Sequence, residues 1–541
     1  MEDVSVSVLI VGGGLVGLSA AVFLTWQGEQ PLLIERHPGT SLHPRARGVN
    51  VRAMELFRQV GLEDRIRATE SAVALADNSG IVRMESLAGL QAPGFNREYL
   101  GEDARDVSPT GWTLCEQDDL EPVLRARAEE DGADLRFGHE LVGHIQDAEG
   151  VTATVRHRPT GEEYAVRARY LVVADGAGSP IREQLGIARQ GRGLLARYLN
   201  IHFRADLTEV LGERRFVMAY VLNDEVTAGL LPINNTDRWL LHVPLDPKAD
   251  SDQDGWDEAR CEAAVRAAAG VPDLPVKILG AQPWQAAGLV AETFRVGRLF
   301  LVGDSAHVMP PTGAFGSATG IQDAHNLAWK LAMVLRGEAS EALLDSYEAE
   351  REPVARTTVR QTVLRSLDRP GHGEQIPEGA ILPDHVVALG YRYPVRDVAP
   401  EDVLTRDDGS AAPGTRAPHL WLERDGVRIS SLDLYDGCGM ALVAGPEAGD
   451  WREAASGVPV PITVHRIGAD QLTDPLQRWS RTHGVPRDGA VLVRPDGFVL
   501  DRFTGEADPR TALTEALSTL LGSQPGTDAV TAATNDVRSH G

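Results

Sequence analysis

The stretch from Val6 to Glu35 constrains this chain more than any other. An apolar run breaks into Gly12-x-Gly14-x-x-Gly17, continues with helical patterning, and is followed by a second apolar run that ends on an acid. Strand, turn, helix, strand and carboxylate in that order predict a dinucleotide-binding βαβ unit. Gly12 permits the tight turn, Gly14 lets a pyrophosphate approach the backbone, and Gly17 lets the helix pack close to the sheet. Leu15 and Val16 lie between the last two glycines, where the helix N-terminus offers free N–H groups and a partial positive charge. Glu35 ends the second strand, where a carboxylate can accept hydrogen bonds from a ribose diol.

Residues 4–24 are apolar enough to suggest a signal peptide or membrane span, but their flanks oppose it. Glu2 and Asp3 stand where a basic segment belongs, and three consecutive glycines interrupt the run. The chain holds 53 basic and 78 acidic residues, a net charge of −25, which argues against nucleic acid or an anionic membrane as partner. Cys115, Cys261 and Cys438 are far apart with no Cys-x-x-Cys pair, the usage of a reduced, cytoplasmic protein with neither structural disulfides nor a metal cage. Cys115 and Cys438 read as small buried side chains. The 541 residues suffice for about three domains.

Strand and helix signals alternate through the first 180 or so residues, including a helix over Gln117–Glu130 and a strand over Ala168–Val173. That strand runs into Asp175-Gly176-x-Gly178-Ser179-x-x-Arg182. Residues 197–285 change character, with strand signals at Thr227–Leu231 and Trp239–Val243 and one helix near Trp256–Ala269, the pattern of an inserted antiparallel layer. A parallel-type strand returns at Arg298–Val302, followed by helices from about Thr319 to Leu335 and from Glu341 into the 360s. A Pro-, Gly- and Asp-rich connection spans about 368–416, and 523–541 has the composition of a disordered tail.

A third segment, Gly303-Asp304-Ser305-Ala306-His307, closes a strand and leads through Pro310-Pro311-Thr312-Gly313 into Gly316 and a helix. Asp304 at that strand end suits the hydroxyls of a ribityl chain. His307 reads as structural, and Trp112, Trp239 and Trp284 as core residues. Together the segments near residues 12, 175 and 304 resemble the flavin-dependent aromatic hydroxylases of the para-hydroxybenzoate hydroxylase fold, particularly those acting on polycyclic polyketides. PRARGVNVRAMELF (44–57) and TGIQDAHNLAWKLA (319–332) are similar to further stretches of that family.

The resemblance implies an α/β fold with a Rossmann-like, glutathione-reductase-type FAD domain over 1–190 and 286–366. It also implies an antiparallel-sheet substrate domain over 191–285, a linker at 367–416 and a thioredoxin-like domain over 417–522. Glu35 and Arg36 would hold the adenosine half of FAD, Arg45 and Gln117 would line the flavin, and Asp304 would hold the ribityl chain. Asp175 and Arg182 would serve both FAD and NADPH, and Pro311, Gly316, Ser317 and Ala318 would border the flavin ring. NADPH would reduce FAD, O2 would add to give a C4a-hydroperoxide, and one oxygen atom would pass to a phenolic ring. The sheet layer would form a roof against water.

No side chain announces itself as a general base. Relatives commonly show Gly-Gly-Phe-Gly-Met-Asn where this chain reads Gly313-Ala314-Phe315-Gly316-Ser317-Ala318, so any role of that Asn does not carry over. Cys438 stands alone, so the C-terminal domain reads as scaffolding or dimer contacts. A Baeyer–Villiger or ring-rearranging oxygenase would use the same residues and is separated only by its product. A nicotinamide dehydrogenase would need only the first motif and would be colourless, while a non-catalytic flavoprotein would be yellow yet inert toward NADPH.

Overall fold

A computed structural model describes residues 3–89, 104–246, 255–368, 375–395, 403–404, 411–449, 451–469, 471–504 and 508–521. The segment 523–541 and part of the 368–416 connection lie outside the described residues. The chain divides into two compact units, one of 1–22, 31–323 and 355–389, the other of 23–30, 324–354 and 390–541. Three of the five divisions, at 22/23, 323/324 and 354/355, fall inside the helices Leu15–Trp26, Phe315–Leu335 and Asp345–Leu367.

In the first unit, five parallel strands run in the order Leu299–Leu301, Glu163–Val173, Val4–Val11, Leu32–Glu35 and Asp134–Phe137. Leu9, Ile10 and Val11 pair with Leu32, Leu33 and Ile34 on one side and with Leu171, Val172 and Val173 on the other. All nine are buried, the near-continuous apolar pattern that a parallel strand needs when both of its faces are covered. Leu301 lies in register with Val173. The carboxyl ends of three strands therefore meet at one edge, and each motif begins where one of these strands ends. Ligands of open parallel sheets bind at such an edge.

A second sheet of the same unit has seven strands, ordered His307–Val308, Lys277–Ala291, Arg189–Arg204, Arg238–Leu245, Thr227–Pro232, Met218–Leu222 and Ile81–Met84. It is antiparallel except where Met218–Leu222 pairs with Ile81–Met84. The layer expected over 191–285 thus recruits a strand from each flank. Leu199, Ile201, Phe203, Trp239 and Leu241 on one face pack with Cys261, Val265 and Ala268 of the helix Glu258–Ala269. Asp257 caps that helix by accepting from the Arg260 N–H. Each such aliphatic or aromatic side chain contributes about 1.5–3 kcal/mol by leaving water.

The second unit holds a four-stranded sheet ordered Ile462–Arg466, Met440–Ala444, Ala490–Val493 and Val499–Phe503, its first pair parallel and the others antiparallel. Charge is buried in this unit. Lys330 Nζ lies 2.7 Å from Glu350 Oε2, and Arg494 donates to both oxygens of Glu350 at 2.7 and 2.8 Å. Arg494 also pairs with Asp496, and Asn326 donates to Glu350 and Asp496. Cys438, expected to be buried, is exposed, because it sits in the turn that follows Asp436 rather than in the strand Met440–Ala444. Among the described residues no helix is long and apolar enough to cross a membrane.

Candidate active site

The glycine turn has two tight positions and one open one. Gly12 has φ +111°, and a Cβ there would lie 2.2 Å from the Ala174 carbonyl oxygen. A Cβ on Gly17 would lie 1.9 Å from the carbonyl oxygen of Gly12. Gly14 differs, since a Cβ there would find only Glu121 Oε1 within 4 Å, at 3.8 Å. The fold demands glycine at 12 and 17, whereas glycine at 14 leaves a space. A pyrophosphate cradle needs that space beside a helix N-terminus, and the first turn of Leu15–Trp26 carries no acid to repel an anion.

Val16 locks this helix to the third motif. Hypothetical Cβ atoms on Gly303 and Gly320 would come within 2.9 and 2.6 Å of Val16 Cγ2, so both glycines exist to admit that side chain. Glu35 accepts from the Gly13 N–H at 2.7 Å and from the His37 N–H at 2.8 Å, which fixes its carboxylate beside the turn. Arg36 follows it and is exposed.

Asp304 occupies a short 3-10 turn, Gly303–Ser305. Ser305 donates to the Val173 carbonyl at 2.7 Å, which ties that turn to the strand carrying the second motif. Asp304 is exposed to solvent yet crowded by protein, so desolvation raises its carboxyl above the usual range against the pull of His307 and Arg45. That combination marks the floor of a cleft. Pro311 is exposed beside it, and Gly316, Ser317 and Ala318 form the first turn of Phe315–Leu335, which also lacks an acid.

Arg45 is exposed, and its charge bears on His43, Glu121 and Asp304. Gln117 Oε1 accepts from the Ala46 N–H at 3.2 Å, and Gln117 Nε2 donates to Glu121 Oε1 at 2.6 Å. Arg47, two residues from Arg45, is spent internally. It pairs with Glu116 at 3.1 Å and donates to the carbonyls of Val217, just before the strand Met218–Leu222, and of Pro232 in the seven-stranded sheet. Burial lifts Glu116 to about 7 despite Arg47.

Ser179 caps the helix Pro180–Gln184 by accepting from the Arg182 N–H, Asp175 accepts from the Ile181 N–H at 3.2 Å in its first turn, and Asp175 Oδ1 has no hydrogen-bond partner. Arg182 is 2% exposed, and its guanidinium donates to the carbonyls of Ala177, Gly178 and Ser305 at 3.3–3.4 Å. It clamps the second motif to the third and presents no free face to a nucleotide phosphate.

Sequence reasoning missed two carboxylates. Asp323 holds His307 Nε2 at 2.6 Å and accepts from the Gly303 N–H at 3.1 Å, with both side chains of the pair fully buried. Glu121 accepts from the Ser41 N–H at 2.7 Å. Each bridges segments far apart in sequence, and neither left a signal, since Asp323 sits among other buried polar residues of its helix, Gln322, His325 and Asn326.

The seven-stranded sheet turns its other face, carrying Tyr198, Asn200 and His202, toward the loop at 43–45. His43 and His202 meet with ring centroids 5.7 Å apart, and Asn200 donates to the Pro44 carbonyl at 3.4 Å. Tyr198 stacks on Trp284 at 4.8 Å and 18°, both half-buried, and His242 meets Trp284 edge-on at 5.9 Å. Trp239 is core, and Trp112 packs against a small apolar cluster, but Trp284 stands in this wall.

Residues 5–362 match the FAD binding domain family, and residues 410–524 match the C-terminal domain of aromatic-ring hydroxylases. The chain belongs to the FAD-dependent aromatic-ring hydroxylases. A putative polyketide hydroxylase of Streptomyces halstedii is 47% identical over 91% of this chain and 92% of the relative. The tetracenomycin A2 monooxygenase-dioxygenase of Streptomyces glaucescens is 41% identical over 97% and 99%. A crystal structure of aklavinone-11 hydroxylase with FAD and aklavinone superposes with a TM-score of 0.89 and 36% identity, covering 97% of this chain and 100% of the other. This hydroxylase is therefore a flavin-dependent monooxygenase. The open face at Gly14, the cleft-floor position of Asp304 and the two acid-free helix N-termini fit an FAD.

Proposed function

We propose that this hydroxylase adds one oxygen atom to a polycyclic aromatic polyketide, with NADPH as reductant. The observation that carries the substrate class is the half-buried stack of Tyr198 on Trp284, in the sheet face that meets the 43–45 loop. Flat aromatic walls suit flat multi-ring ligands, because offset stacking adds to area burial. The name putative polyketide hydroxylase, borne by the Streptomyces halstedii relative that covers 91% of the chain, supports the same class.

FAD, when bound, supplies the passage of two electrons from NADPH to O2 and the transfer of one oxygen atom to an electron-rich ring, the other atom leaving as water. The chain's own residues bind, orient and exclude water. The turn at 12–17 and its helix would take the pyrophosphate, Glu35 the adenosine ribose with Arg36 beyond it, and Asp304 the ribityl hydroxyls. The amides of Gly316, Ser317 and Ala318 would stabilise negative charge on the flavin ring, a helix N-terminal contribution of about 0.3–2 kcal/mol. Arg45, Gln117 and Glu121 border the same cleft. The sheet face supplies a wall that keeps bulk water from the reacting ring.

Arg45 and Arg182 should separate in the reductive half-reaction. Arg45→Ala, which removes an exposed cation, should raise the NADPH concentration for half-maximal flavin reduction about tenfold, the size of one charge-assisted contact, with FAD content unchanged. Arg182→Ala, which releases three carbonyls, should instead lower FAD content and melting temperature. Stopped-flow absorbance and flavin-to-protein ratios read the two effects, and equal behaviour of the two variants would remove Arg45 from the nucleotide site.

Turnover in labelled dioxygen tests the reaction itself. With a polycyclic phenolic polyketide, the product should carry one labelled oxygen on an intact carbon skeleton, and NADPH consumption should be slow without it. An inserted ring oxygen would identify a Baeyer–Villiger reaction, and oxygen derived only from water would exclude a monooxygenase.

A further inference from the structure

Three polar atoms from two elements converge on the inner face of the seven-stranded sheet without a hydrogen-bond partner. They are His43 Nε2, His202 Nε2 and Asn200 Oδ1, all buried. Trp284 Nε1, in the same wall, is a fourth. Unsatisfied buried polar atoms are rare because each forfeits its hydration, and a cluster of them calls for a partner from outside the chain. Strand register sets the cluster out. Tyr198, Asn200 and His202 point to one side, opposite Trp284, Gln282 and Gly280 of the neighbouring strand. The intervening Leu199, Ile201 and Phe203 belong to the core on the other side.

We propose that His43, His202 and Asn200 read the oxygen-bearing edge of the substrate, accepting hydrogen bonds from its ring hydroxyls while Tyr198 and Trp284 border its flat face. The inference rests on the polyketide reading above. The chemistry of the three groups selects the ligand. Asn200 Nδ2 is already engaged with Pro44, so its free atom is an acceptor. Burial draws both histidines down to about 4, so at neutral pH each imidazole is uncharged, and its Nδ1-protonated tautomer offers a lone pair at Nε2. An imidazole so weakly basic accepts a hydrogen bond from a phenol without taking its proton, so the pair orients the ring and does not ionise it. Hydroxylated ring edges satisfy such atoms, whereas an O-methylated edge offers no donor and leaves them bare. His43 comes from the loop that carries Arg45, and His202 from the sheet, so a ligand bonded to both is registered against the flavin side of the site.

The FAD-loaded enzyme can be titrated with 2,3-dihydroxyanthraquinone and with 2,3-dimethoxyanthraquinone, following the flavin absorbance. The wild type should prefer the dihydroxy compound at least about tenfold, the effect of one hydrogen bond to a buried acceptor. His202→Leu and His43→Leu should bring that ratio to about 1, while His202→Gln, which keeps an acceptor, should restore most of it. An unchanged ratio in both Leu variants would overturn the proposal and assign the cluster to bridging water, leaving the polyketide reading intact. Loss of FAD from both Leu variants would assign the pair to folding and overturn it likewise. A wild type that binds neither anthraquinone would overturn the polyketide reading, and this inference with it.

Discussion

Gly14→Val should give a soluble, folded and colourless protein. A Cβ at this position meets no atom beyond its own turn closer than Glu121 Oε1 at 3.8 Å, so the turn itself accepts a side chain, but the branched group fills the space kept for a pyrophosphate. Gly17→Val provides the contrast. Its Cβ would strike the Gly12 carbonyl at 1.9 Å, so that variant should fail in folding rather than in cofactor binding. Circular dichroism with flavin absorbance distinguishes the two losses. FAD affinity in Gly14→Val should fall by a factor of a thousand or more, roughly 4 kcal/mol or above. Stoichiometric FAD retained in Gly14→Val would count decisively against the pyrophosphate assignment.

Glu350→Gln should cost about 3–5 kcal/mol of stability, because it leaves Lys330 and Arg494 facing each other inside the second unit without their shared carboxylate. Burial alone would raise the Glu350 carboxyl, but Arg494 and Lys330 hold it near 2, below its ordinary value of 4.5. A depressed folded value means that the unfolded state binds the proton more readily. The stability due to ionised Glu350 is therefore present above about pH 4.5 and is lost as pH falls from there toward 2. That difference corresponds to roughly 3 kcal/mol. Thermal melts across this interval should fall more steeply for the wild type than for Glu350→Gln, and parallel curves would show that the carboxyl is not held down by its neighbours.

The parallel sheet and the three motifs were legible because each states a local rule: apolar strands bounded by turns, glycines where backbone crowds, and acids at strand ends. Gln117–Glu130 forms at the predicted limits, and Thr227–Leu231 and Trp239–Val243 lie within the strands Thr227–Pro232 and Arg238–Leu245. The helix expected from Thr319 begins at Phe315, since Gly316 and the positive φ of Gly313 and Ala314 disguise its first turn. What stayed hidden depends on pairs far apart in sequence. Nothing local distinguishes Arg45, open to the cleft, from Arg47, buried on Glu116. Nor could His307 announce Asp323, or Arg182 announce the carbonyls that occupy it, before a strand and a helix were brought together. Trp284 and Trp239 look alike in sequence, and only the register of their strands assigns one to the wall and the other to the core.

The second compact unit gathers residues 23–30, 324–354 and 390–541. A ribosome delivers these pieces in order, so Phe23 waits for His325 and Trp26 for Asp436 before their partners exist. The parallel strand Val4–Val11 meets a shorter delay, until Glu163–Val173 emerges. Co-translational folding can therefore begin with the nucleotide-binding sheet, whereas the buried Lys330–Glu350–Arg494 cluster is complete only once Arg494 has emerged. Chimeras that exchange the C-terminal segment between relatives will need to carry 324–354 with it, because a graft beginning at residue 410 would separate Arg494 from the carboxylate it was selected to meet.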